Sequence, residues 1–376
     1  VRLTQVDYPD NTLRRRMETA MHHSVPRHAL DVVQWQVWTG ASTDAYPVPT
    51  AYNDCYGCHI QTQGIAGLEA VRSKVRPSPV DTRMIEWLNQ GMKRRLVDGV
   101  VWKARGERNR GNEYGHWKIQ TMLAAWAWAE QSKVERAITG SNSVTLTNLI
   151  TESLYWLIQP AYRDNNVWKA DHSGAPYWNI NSRCGGGFEF SPFGTFGVIV
   201  AVVEAFRLTG NDTYRHVASS AVSSLLTVNW RGTCSGGDPL PGYAANVMLA
   251  LQEALPILEE PLATQVRAAI AAFENDLRTW QQITPGTTHN DGGWRWHLPM
   301  GPGYPSDPLA TAMALYALAR QGVRSTDVNL VRATEFLLAN QDRLGRWHSI
   351  YFNTRIIPTT WVDFALPLVY EAIGSY

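Results

Sequence analysis

Cysteine is scarce in this chain, with 4 in 376 residues. That is too few for a disulfide-held scaffold, and a chain this long can bury a core that needs no crosslinks. An excess of charge of one sign is missing as well. The 34 Lys and Arg meet 33 Asp and Glu, and no basic run stands out, so the sequence carries no electrostatic footprint for nucleic acid or an anionic membrane. Long hydrophobic runs are also lacking. The longest strongly apolar stretch, Gly197-Val-Ile-Val-Ala-Val-Val203, is bounded by Glu204 and falls short of the roughly 18 residues that cross a bilayer. No Gly/Ser-rich, Pro-rich or charge-block linker divides the chain, so residues 1–376 are expected to form a single domain. The start at Val1 has neither an initiator Met nor a charged-then-apolar leader and reads as a mature N-terminus. What the chain has in excess is tryptophan, 16 in all.

Two of the cysteines lie in Cys55-Tyr56-Gly57-Cys58-His59, the C-x-x-C-H pattern of covalent c-type haem attachment. Two thiols one helical turn apart can add to the two vinyl groups of one porphyrin, and the next imidazole can reach the iron. A buried thiol pair beside an unrelated histidine is the simplest alternative. A zinc site would need a second ligand pair, which the isolated Cys184 and Cys234 do not supply, and no βαβ pattern suggests a thioredoxin-like dithiol. One covalent haem c implies export, hence a periplasmic or extracellular location. It also allows a Cys184–Cys234 disulfide, which would close a loop of about 50 residues and contribute about 4 kcal/mol, with two separate buried thiols as the other option.

Helical periodicity runs from about Leu13 to the end in two alternating kinds. Amphipathic helices are expected near 13–36, 81–98, 143–158, 212–228, 262–280 and 327–340. Segments apolar nearly all round follow near 59–73, 116–130, 193–207, 243–256, 308–320 and 359–372, and must be enclosed. Outer and inner helices thus take turns at a repeat of roughly 50 to 75 residues, which predicts an all-α (α/α)6 toroid of six pairs. Asp307 before Pro308 reads as an N-cap, and Asp81 and Asp212 are placed to cap outer helices. Long Gly- and Trp-containing loops follow the outer helices on one face, as in Asp291-Gly-Gly-Trp-Arg-Trp296.

Gln341-Asp-Arg-Leu-Gly-Arg-Trp347 resembles the Q-x-x-x-G-x-W repeat of the squalene-cyclase and protein-prenyltransferase α/α toroids. The resemblance implies the ring and not the cyclisation chemistry, because the D-x-D-D proton donor of squalene-hopene cyclases is missing. Joined to C-x-x-C-H, it also resembles exported bacterial haem proteins with cyclase-like toroids.

With Cys55, Cys58 and His59 holding a haem at the entrance of the first inner helix, His116 at the matching point of the second repeat is the candidate distal ligand. Met300 is the alternative, and His297 and His348 are placed to line the same mouth. His22, His23 and His28 fall on an outer helix in solvated or capping roles. The expected function is therefore an exported mono-haem protein passing single electrons to a redox partner protein or doing haem-based redox chemistry. A carbohydrate-active toroid, either a polysaccharide lyase or an inverting glycoside hydrolase with a glycan partner, is the alternative. It would stack sugars on Trp102, Trp117, Trp168, Trp178, Trp294, Trp296 and Trp347, and use acids and bases among Asp171, His172, Glu189, Asp238, Asp291 and Asp307. The segment Asn112-Glu-Tyr-Gly-His-Trp117 is similar to the Asn-His-x-Tyr-Trp stretch of alginate-lyase toroids, in a different order. A haem-bearing interaction subunit of a larger assembly is the third reading.

Overall fold

A computed structural model of the chain describes residues 11–38, 58–75, 78–94, 96–101, 114–169, 189–228, 240–283, 291–296, 305–322, 327–349 and 355–373. Six inner helices, α2 (Cys58–Arg72), α4 (Tyr114–Thr139), α6 (Pro192–Thr209), α8 (Pro241–Ala254), α10 (Pro308–Ala319) and α12 (Ile356–Ile373), pack in that order. The ring closes where α12 meets α2. Six outer helices surround them: α1 (Asn11–Trp38), α3 (Pro79–Lys93), α5 (Val144–Leu157), α7 (Asp212–Leu225), α9 (Leu262–Trp280) and α11 (Val328–Ala339). This is the expected (α/α)6 toroid. One short antiparallel hairpin, β1 (Leu96–Val97) and β2 (Val100–Val101), follows α3, where helix had been expected to run on to residue 98.

The inner helices are apolar all round because all their faces are covered. In α10 every residue from Pro308 to Ala319 except Tyr316 is buried, and α6, which by length and composition alone could cross a membrane, is 78% enclosed by its neighbours. Close approach is bought with glycine. A Cβ on Gly67 would stand 2.8 Å from the Thr360 Cα of α12, and one on Gly194 would stand 2.9 Å from Met122 of α4. Side chains fill the axis. Trp361 lies among Trp126, Phe193, Phe196 and Phe364 at ring separations of 5.5 to 6.2 Å, and Trp126 stacks on Phe364 at 5.1 Å. The ring's seam is polar: buried His28 of α1 donates from Nδ1 to the Asp363 carboxylate of α12 at 2.5 Å, and Ser24 donates to the other oxygen at 3.0 Å. Burial pushes the Asp363 carboxyl up, and His28 opposes the shift. His28 is therefore neither solvated nor a cap, whereas His22 and His23 are exposed as expected.

Capping follows the sequence in outline. Asp307 accepts from the Leu309 and Ala310 amides, as anticipated. The cap of α3 is Ser78, with Asp81 completing a capping box three residues on, and the cap of α7 is Asn211, so neither Asp81 nor Asp212 caps.

A repeated staple ties α5, α9 and α11 each to the inner helix that follows. The indole N–H groups of Trp168, Trp294 and Trp347 donate to the Leu157, Leu277 and Leu337 carbonyls at 2.8, 2.7 and 2.7 Å, in the last turns of α5, α9 and α11, where carbonyls lack helical partners. The backbone N–H groups of the same tryptophans donate to the hydroxyls of Thr195, Thr311 and Thr359. Each of these threonines is the fourth residue of its inner helix. Val101 donates in the same way to Thr121, without an indole. Two residues ahead of each of these four positions the backbone is left-handed, at Gly99, Asn166, Gly292 and Gly345, with φ between 46° and 90° across the positive-φ residues of these turns. The glycines also touch the next outer helix. A Cβ on Gly345 would fall 2.4 Å from the His23 carbonyl oxygen, and one on Gly292 would fall 2.5 Å from that of Arg332. Gln341 gives the resembled repeat its physical role, donating its amide to the Ala20 and Gly345 carbonyls, and Gln281 repeats this with Asn329 and Gly292.

The C-terminal ends of four inner helices are joined by charge. Buried Glu253 of α8 meets Lys133 of α4 at 2.9 Å, Arg320 of α10 at 2.8 Å and Arg207 of α6 at 3.6 Å, while Glu204 of α6 takes Arg136 of α4 at 2.6 Å. Burial works against the Glu253 carboxylate, yet Lys133 and Arg320 outweigh it and hold its pKa well below the ordinary 4.5.

Two stability measurements follow. Trp294→Phe keeps the ring but orphans the Leu277 carbonyl, so chemical denaturation should show a loss of about 1–3 kcal/mol; an unchanged midpoint would mean the staple carries no load. Glu253→Gln leaves Lys133 and Arg320 facing a neutral amide and should cost on the order of 3 kcal/mol at neutral pH. A carboxylate with a depressed pKa stabilises above its unfolded value and loses that contribution as pH falls, so the gap between wild type and variant should narrow below pH 4.5. A gap that stays constant with pH would contradict this account.

Candidate functional site

The inner helices present their first turns to one face of the ring, where the described turns ending at Val101, Trp168, Trp294 and Trp347 also lie. The other end carries the Glu253 and Glu204 networks. The candidate site is therefore the mouth at the helix N-termini.

At that mouth buried polar groups lack partners, which is uncommon enough in folded proteins to need a reason. Gln63 of α2 is fully buried, and neither its amide nitrogen nor its oxygen is hydrogen-bonded. Gln120 of α4, 2% exposed, has an unpaired amide oxygen. One turn deeper, Asn246 of α8 donates to the Gly242 carbonyl and the Met313 sulfur but leaves its own oxygen unpaired, and the Trp361 indole N–H has no acceptor. Each such atom costs about 1–3 kcal/mol when left unmet. Beside these amides the axis is aromatic: Phe193 meets Tyr243 edge to face at 5.5 Å, and Tyr243 meets Trp296 at 5.3 Å.

Among the described residues at the mouth, Glu189 is a part-exposed carboxylate, 3.9 Å from Lys169. The pair brackets a long connection and is held by the staple beneath it, since Ser191 donates its N–H to the Trp168 carbonyl and its hydroxyl caps α6. Asp291 is also part-exposed, and Asp307 is committed to its cap.

Several sequence-selected residues change role. Trp168, Trp294, Trp296 and Trp347 are fully buried, so they do not offer faces for stacking sugars; three of them are the staples. Cys55, Trp102, Asp171, His172, Trp178, Cys184, Cys234, Asp238, His297 and Met300 lie outside the described residues, as do the side chains of Cys58, His59, His116 and Trp117. Along the helices, His59 and His116 stand one turn before Gln63 and Gln120. His348 is exposed next to the Trp347 staple, its pKa lowered by burial and by Arg355. Sequence reasoning missed Gln63 and Gln120, although both stand at matching places in the two segments whose histidines had been compared. The signal was a polar amide in an otherwise apolar inner helix.

No family model and no curated protein matches the sequence. Solved structures do match the fold. A polysaccharide lyase superposes with a TM-score of 0.61 at 12% identity, covering 96% of this chain and 99% of its own. An unsaturated glucuronyl hydrolase from Streptococcus agalactiae gives 0.57 at 13%, covering 95% and 92%. A family 88 glycosyl hydrolase from Bacteroides vulgatus gives 0.58 at 10%, covering 94% and 98%. At these identities the likeness establishes the α/α toroid.

It also corrects the haem reading. The full-length matches are carbohydrate-active toroids rather than cytochromes, and among the described residues no group of three or more His, Cys, Asp or Glu is assembled to hold a metal. The physical reason lies in the packing. Trp126, Phe193, Phe196 and Trp361 pack against one another along the axis below the mouth and leave no room for a porphyrin among the inner helices at that level. The expectation of an electron-transfer protein with covalent haem c, one iron and ligands His59, His116 or Met300 is withdrawn.

Proposed function

We propose that the chain is a carbohydrate-active enzyme that cleaves glycosidic bonds in a uronic-acid-containing glycan at the mouth of the ring, outside the cytoplasm where such polymers are met. The observation that carries this reading is the end-to-end superposition, over more than nine-tenths of both chains, on a polysaccharide lyase and on glucuronyl hydrolases. The mouth suits it: it joins buried amides, a column of aromatic side chains and an accessible carboxylate paired with a lysine. Glu189 is the described group best placed for proton transfer to or from a sugar oxygen or ring carbon, with Lys169 next to it to offset developing negative charge.

The direct test incubates the full chain with a panel of polyuronides and with their unsaturated disaccharides. A lyase raises the ultraviolet absorbance of the conjugated uronate double bond, and an unsaturated-uronide hydrolase lowers it. No absorbance change and no new reducing ends across the panel would overturn the reading. On the active substrate, Glu189→Gln should lower kcat about 100-fold or more with little change in KM. An undiminished kcat would take proton transfer away from Glu189.

A further inference from the structure

We propose that the amides of Gln63 and Gln120 form the floor of the mouth and take sugar hydroxyl groups rather than a sugar carboxylate; this rests on the glycan-cleaving reading above. The two residues stand level on neighbouring helices. Gly64 lies against Ile356, the first residue of α12, with its Cβ position 3.0 Å away, so Gln63 is level with the first turn of α12. Gly194, the third residue of α6, lies against Met122 and Ile119, which places Gln120 level with the first turn of α6. Direction follows from helical geometry. Gly64 faces Val32 of α1 and Gly67 faces Thr360 of α12. At about 100° per residue, Gln63 lies beyond the α12 contact on the side away from α1, which is the ring interior.

The chemistry of the unpaired atoms selects the ligand group. Gln63 presents a donor and an acceptor together, and Gln120 presents a carbonyl-type oxygen. Asn246, one turn deeper, presents another, because its nitrogen is already engaged with Gly242 and Met313. A hydroxyl both donates and accepts, so vicinal hydroxyls meet this set in full. A carboxylate only accepts and would face these amide oxygens with like partial charge. Specificity of this kind is strong, since a buried amide left unmet penalises any ligand lacking the hydroxyl.

Gln63→Met keeps the side chain's length and removes both hydrogen-bonding atoms. With methyl glucoside and methyl glucuronide as probes, saturation-transfer NMR on the full chain should show both binding to wild type. Both should bind at least 10-fold more weakly to Gln63→Met. The variant's melting temperature should be equal to or above that of wild type, since an unpaired buried amide has been removed. The proposal falls if wild type binds neither probe, if the variant binds both as wild type does, if only the glucuronide is weakened, or if the variant melts lower. Cleavage of the polyuronide panel with binding untouched by Gln63→Met would sink this proposal alone. Lost binding in the variant without any cleavage by wild type would sink the glycan-cleaving reading alone.

Discussion

The indole-to-carbonyl staple is the contact on which the ring depends. A helical toroid must keep each outer helix in register with its own inner helix and with the next outer one, and apolar packing alone is too non-directional to set that register. The tryptophan staples supply direction. One side chain ends an outer helix through its indole N–H, its backbone N–H joins an inner-helix threonine, and the left-handed residue two places earlier brings the chain against the neighbouring outer helix. At Gly345 that neighbour is α1, so the same device used within the ring also closes it, beside the buried His28–Asp363 pair.

Stability and chemistry are divided between the two ends. At the C-terminal ends of the inner helices, opposite charges from α4, α6, α8 and α10 satisfy one another in a buried network. At the N-terminal ends, amide atoms of α2, α4 and α8 are buried without partners. Unmet amide oxygens also occur beside the charge network, at Gln131 and Gln252, but among the described residues only Gln63, at the mouth, buries both a donor and an acceptor without a partner. The aromatic column between them keeps the axis dry and links the two levels through Trp126, whose indole donates to Glu130 at the edge of the charge network.

Much of this was legible in the chain. All-round apolar segments such as Pro308–Ala319 could only be enclosed helices, and their alternation with amphipathic ones led directly to six pairs. The Gln341 to Trp347 motif pointed to the ring, and Asp307 to a cap. The C-x-x-C-H pattern misled because a pentapeptide carries no information about the fold around it, and in this fold aromatic side chains fill the axis below the mouth. The loop tryptophans misled for a related reason. Their threonine partners lie 27, 17 and 12 residues away, so no fixed spacing betrays a staple, and an unpartnered indole in a loop reads as a sugar platform.

The sequence by itself determined the elements and their order, because burial pattern and helical period are local properties that each segment carries alone. Tertiary structure decided which polar groups are consumed and which remain. Trp168, Trp294, Trp347, His28 and Asp307 all find partners far along the chain or at a helix terminus, while the Gln63 amide and the Gln120 oxygen find none. Whether a hydrogen bond is satisfied depends on the relative placement of atoms to within a fraction of an ångström, and that placement exists only once the ring has closed.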